Sequence, residues 1–174
     1  MKRLCLFVVT GLLIFSTVLV AASKSELKPR LILDHANLIK NQEADGDELY
    51  FDISIFRVNQ PTHYLRIPAK PFHWTSQRIN DLSEITLWSG TVKQDQGVTL
   101  IVSLMETNMT PVYPDELIGS VRVKFDNKSG VLHTRWDMPN HSDGAVVTKG
   151  KKNHIQKFDL VNEGVHYKVY LSLD

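Results

Sequence analysis

The chain has 174 residues, 20 basic and 19 acidic side chains and a formal charge of +1, which gives no reason to expect a general nucleic-acid binder. Its one cysteine is Cys5, so disulfides and cysteine nucleophiles are excluded from everything downstream. No G-x-S-x-G elbow and no HExxH motif occurs, and no two of the seven histidines (35, 63, 73, 133, 141, 154, 166) are spaced as a helical i, i+4 pair.

Residues 1–22 read as a secretory signal peptide. Lys2 and Arg3 form a basic start, 4–20 is an uncharged and mostly apolar run, and Ala21, Ala22 and Ser23 supply the small residues of a cleavage site. The other reading of this run is an uncleaved anchor, since it approaches the length of a span. Residues 23–174 are expected to form one exported domain, periplasmic or secreted, with 18 basic and 19 acidic residues and a balance of −1. A domain of about 150 residues buries enough of its chain to hold together without cross-links.

Period-two alternation recurs from there on. Leu49, Phe51, Ile53 and Ile55 point one way, and Tyr50, Asp52 and Ser54 the other. Leu100, Val102 and Leu104 alternate with Ile101 and Ser103, and Val165, Tyr167, Val169, Leu171 and Leu173 alternate with His166, Lys168, Ser172 and Asp174. Leu117, Gly119, Val121, Val123 and Phe125 are assigned one face, opposite Ser120, Arg122 and Lys124. Weaker strands are expected near 30–39, 63–69, 85–92, 131–136, 144–149 and 154–160, and "TSQRINDLSE" as one helical turn. "NQPT", "DNKSG", "PNHSDG" and "VNEG" serve as turns. One wet face per strand means antiparallel pairing. The fold class is therefore all-β: an antiparallel β-sandwich of about eight strands.

Two loops echo each other. "ADGDELYFDI" and "YPDELIGSV" each run from a polar loop through Asp-Glu-Leu into an alternating strand. On these residues the chain resembles a C2 domain over 31–125. Leu31, Leu33, Ala36 and Leu38 in "LILDHANLIKNQ" fit its opening strand, and "LIVSLMETNMTPVYPDELIGSV" fits its later strand and acidic loop. Ile118-Gly119 in "DELIGSV" is the most specific piece. The resemblance implies a C2-like binding module without catalysis, and a loop-end Ca²⁺ site drawn from Asn41, Asp45, Asp47, Glu106, Asn108 and Asp115, with Glu43 nearby. Ca²⁺ needs six to eight oxygens. Here asparagine stands at two ligand positions and Asp115 falls one residue beyond the family spacing. No cofactor is required on this reading, and any Ca²⁺ assistance is weak, of the order of 10⁻⁴–10⁻³ M. The plainer alternative is a degenerate loop whose acids are solvated or cap turns.

Met109, Val112 and Tyr113 give the second loop an apolar tip. Either it contacts a partner or it folds back to plug the sandwich, the commoner arrangement. The partners implied are a membrane surface, a cell-envelope component or another protein, with no preference as to oligomeric state. Lys149, Lys151 and Lys152 form a basic patch that would suit anionic lipid, although a solvated lysine-rich hairpin explains it as well. Trp74 in "KPFHW" is the ring expected to be exposed, and would anchor a carbohydrate-binding platform if the domain is a glycan-binding module. Trp88 and Trp136 are expected in the core. A secreted hydrolase with an acid pair is the remaining alternative, and no pair stands out. The N-x-S/T sites at Asn108, Asn127 and Asn140 are read as turn asparagines.

Overall fold

The computed structural model describes residues 25–41, 46–108, 113–139 and 154–174, together with the strand backbone of 146–149. The signal-peptide segment 1–22 therefore lies outside the described residues, as do Glu43, Asp45, Met109, Val112, Lys151, Lys152 and the side chain of Lys149.

The described residues form an antiparallel β-sandwich. In chain order the strands are β1 (Glu26–Leu27), β2 (Arg30–Lys40), β3 (Glu48–Arg57), β4 (His63–Ile67), β5 (Trp74–Thr75), β6 (Ser83–Ser89), β7 (Val92–Lys93), β8 (Gly97–Glu106), β9 (Glu116–Lys128), β10 (Val131–Asp137), β11 (Val146–Lys149), β12 (Gln156–Asn162) and β13 (Val165–Leu173). One sheet runs β11-β10-β9-β8-β3-β4, with β5 also pairing β3. The facing sheet runs β12-β13-β2-β6, and β1 pairs with β7 separately. A 3₁₀ turn, Ser76–Asp81, occupies the place expected of the single helical turn. There are more strands than the eight or so expected. Three of them, β1, β5 and β7, are two residues each, too short to show any alternation.

The alternating residues meet between the sheets. Leu49, Phe51 and Ile53 of β3, Leu100, Val102 and Leu104 of β8, and Tyr167, Val169 and Leu171 of β13 are all buried in one apolar cluster. Trp88 stacks on Phe125 with ring centroids 5.4 Å apart, and Trp136 on Phe158 at 5.9 Å. Two tight hairpins set the register. Ser129 and Gly130 have φ of 51° and 81° between the paired residues Lys128 and Val131, and Glu163 and Gly164 have 36° and 100° between Asn162 and Val165. Positive φ at both central residues is the geometry that matches strand twist. Asn127, a glycosylation-type site by sequence, is fully buried. Its side chain donates to the Ser25 and Val92 carbonyls and accepts from the Gly130 N–H, all at 3.0 Å.

β9 begins out of the register that alternation predicts. Leu117 is 42% exposed, and Ile118 takes the core position instead. A bulge is the cause: Leu104 pairs with Gly119 but Met105 with Leu117, so Ile118 is the extra residue and the alternation slips by one before it. Gly119 then sits where β9 meets β12 of the other sheet. A Cβ there would lie 3.0 Å from Leu160 Cβ and 3.4 Å from its Cα. Gly119→Val should therefore cost about 1–3 kcal/mol by overpacking, read as a lower urea midpoint. An unchanged midpoint would show that the sheets do not close on this residue.

Candidate functional site

Both acidic loops emerge at one end of the sandwich. Leu49 pairs with Glu106, and Glu106 with Glu116, so β3, β8 and β9 bring the described roots of the two loops, Asp47, Thr107 and Asp115, to one end. The Thr107 N–H donates to the Glu48 carbonyl at 2.7 Å, β5 pairs with Glu48 and Leu49, and the Asn162 amide reaches Glu116 Oε1 at 2.9 Å from the opposite sheet. Of the six residues expected there, Asp47, Glu106, Asn108 and Asp115 lie on these roots, and Asp45 is outside the described residues. The roles of the individual residues are different.

Asp47 is 1% exposed. Tyr167 of the facing sheet donates a hydrogen bond to its Oδ2. The Asp47 N–H donates to Ser76 Oγ, and the Ser76 N–H donates back to the Asp47 carbonyl, both at 2.8 Å. The remaining carboxylate oxygen, Oδ1, is buried without a hydrogen-bond partner among the described residues. Burial, then the hydrogen bond and charge of Asp47, push the Tyr167 phenol far above its ordinary range. Glu106 acts in the same direction, and the Ser76 hydroxyl opposes it.

Asp115 is similarly engaged. Tyr50 donates to its Oδ2 at 2.6 Å, and the Arg66 guanidinium stands 3.7 Å from the same oxygen. Arg66 also lies over the Tyr50 ring, 3.5 Å from its centroid, which is why Tyr50 is buried on the face of β3 expected to be wet. Burial first, then the Asp115 hydrogen bond and charge, push Tyr50 up to about 12, with Asp52 adding and Arg66 opposing. Asn41 and Asn108 are half-buried, and the Asn108 amide closes its own loop onto the Pro114 carbonyl at 2.6 Å.

Of the described candidates, Asp47 and Asp115 do not fit the Ca²⁺ site that the resemblance implies; Asp45 lies outside the described residues. Among the described residues no group of three or more His, Cys, Asp or Glu side chains converges on a metal position. Asp47 Oδ2 is taken by Tyr167 inside the core, and Asp115 faces a cation that is part of the protein. Unit charges about 4 Å apart interact by about 4 kcal/mol near a protein surface. A divalent ion at Asp115 would therefore meet a carboxylate whose charge Arg66 already offsets.

The apolar contact residues also shift. Tyr113 is 68% exposed, so it does not plug the sandwich. Trp74 is half-buried in β5, packed edge-on against Phe51 with centroids 6.1 Å apart, and does not present a free platform. The exposed ring of that segment is Phe72, at 68%. Sequence reasoning missed Phe72, Arg66, Tyr50 and Tyr167. Only Tyr167 left a usable sign: a phenol amid a buried aliphatic run requires a hydrogen-bond partner.

No family model matches the chain, and neither does any curated protein. Among solved structures it is similar to CC2D1B, reported as coordinating ESRCT-III activity during the mitotic reformation of the nuclear envelope, with 10% identity and a TM-score of 0.46. That similarity covers 84% of this chain and 53% of the other. A second is human GIVD cytosolic phospholipase A2 in complex with methyl gamma-linolenyl fluorophosphonate, at 6% identity and a TM-score of 0.36, covering 86% of this chain and 32% of the other. The chain thus spans about half and about a third of the length of these two structures.

Tyr167→Phe leaves the Asp47 carboxylate buried with neither oxygen paired and should cost about 3 kcal/mol, measured by urea unfolding; a loss below about 0.5 kcal/mol, the range of ordinary surface substitutions, would contradict the tie. Tyr50 has its pKa raised on folding, so the stability it lends is fully present below pH 10.0 and is lost as pH rises through about 12. Tyr50→Phe should flatten the alkaline fall in stability over that window.

Proposed function

We propose that this protein is an exported, non-catalytic, C2-like binding module that meets its partner through the loop end carrying Phe72 and Tyr113. The observation that carries this reading is the exposure of these two rings on loops fixed from behind, in a domain whose other large aromatics at that end, Tyr50, Trp74 and Tyr167, are drawn into the protein. The Phe72 carbonyl accepts from Arg66, and Tyr113 lies two residues from Asp115, which Tyr50 and Arg66 hold. A fixed apolar tip binds at lower cost than one that must order on contact.

The partner proposed is the membrane surface or an envelope component on the outer side of the exporting membrane, consistent with a signal peptide at 1–22. Rings with exposed faces suit such a boundary. The loop end needs no cofactor on this reading. The non-catalytic assignment is supported by the way the site's acids are used: Asp47 and Asp115 accept from phenols, and His73 stands 3.3 Å from Glu48 as a surface pair.

Co-sedimentation of the mature protein with phosphatidylglycerol–phosphatidylethanolamine vesicles and with isolated envelopes tests the reading. Burying one such ring contributes about 1.5–3 kcal/mol, so the Phe72→Ala/Tyr113→Ala double variant should lose about 10-fold or more in binding. Its unfolding midpoint should hold, because both rings are exposed. Equal retention of the double variant and the wild type would contradict the proposal.

A further inference from the structure

We infer that the Arg66 guanidinium is the resident cation of the loop end, filling the bridging role that a divalent ion would otherwise take and making the tip's geometry independent of metal. The inference rests on the loop end described above and not on the identity of its partner.

Arg66 projects from β4 opposite Asp52, its side chain only 16% exposed. From there it reaches three separate segments. One nitrogen stands 3.7 Å from Asp115 Oδ2 in the 107–115 loop, and another is 3.4 Å from Thr107 Oγ1 at the other root of that loop. The same nitrogen is 3.5 Å from the Phe72 carbonyl in the loop before β5. The fourth contact is the Tyr50 ring beneath. The hydrogen bonds are long, so the brace is one of charge more than of direction. Electrostatically it is coherent: a delocalised cation meets a carboxylate, a carbonyl, a hydroxyl and an aromatic face, all of which favour positive charge. Tyr50 completes it by donating to the same Asp115 oxygen from the other side.

A bridging ion does this kind of work by tying loops to one another through oxygen ligands. Here the tie is covalently part of β4, so it cannot be removed by a chelator. The consequence is specific. Phe72 and Tyr113 keep their positions in EDTA, and adding Ca²⁺ does not tighten them.

The test is hydrogen exchange by mass spectrometry on residues 23–174, in EDTA and in about 2 mM Ca²⁺, above the range of weak extracellular sites. Wild type should exchange identically in both at segments 68–73 and 113–117. Arg66→Met should speed exchange in both segments by about 10-fold while peptides of β13 stay protected. Asp115→Asn, distant in sequence from 68–73, should speed that segment as well. If Arg66→Met does not fold, Arg66→Lys, which keeps the charge but loses the fork, should show the same pattern with a smaller change. Slower wild-type exchange in Ca²⁺, or wild-type exchange in both segments of the arginine variant, would overturn the inference. Neither readout involves a partner, so the binding proposal can fail while this one stands.

Discussion

The bond from Tyr167 to Asp47 is the constraint on which the loop end depends. It runs from the core face of one sheet to the loop that opens β3 in the other, joining positions 120 residues apart in sequence. A carboxylate with 1% exposure is costly to bury unless donors meet its oxygens. Tyr167 meets one of them, and the reciprocal bonds between Asp47 and Ser76 fix the backbone on which it sits. The loop, the 3₁₀ turn and β13 are thereby held together. The remaining features of that end, including the entry to β5 and the root of the 107–115 loop, are built against this fixed point.

Above it lies a second polar cluster of different character. Tyr167 and Asp47 are inside, whereas Arg66, Asp115 and Tyr50 meet on the outward face of β3 and β4. Two aspartates at one loop end invite a cation, and each has acquired a tyrosine donor instead, one of them with an arginine beside it. Fixing loops with internal donors sacrifices responsiveness to metal and retains a preformed surface.

Much of the fold was legible because alternation is a local property. Val165 to Leu173 could be assigned residue by residue, since every second side chain is apolar and the strand pairs in the core. The β9 start could not, because the bulge at Ile118 is set by how β8 pairs with it, and nothing in "DELIG" alone marks the slip. The site divides in the same way. That the roots of the loops before β3 and β9 share an end was implied by the C2 resemblance. That Asp47 would be taken by Tyr167, or Asp115 by Tyr50 and Arg66, depends on contacts across sheets and strands that no spacing reveals. Expecting Trp74 to be an exposed ring failed for a related reason: β5 turns the indole inward through a two-residue ladder too short to read in sequence.

The central claim is that the loop end is preformed by the protein's own side chains. Its most direct test is residue-resolved amide exchange by NMR in EDTA at the Asp47, Ser76 and Thr107 N–H groups, which donate to Ser76 Oγ, the Asp47 carbonyl and the Glu48 carbonyl. The account predicts that these amides are protected in EDTA to an extent approaching that of the β13 core, with no change when Ca²⁺ is added. Fast exchange in EDTA that slows only with Ca²⁺ would contradict it.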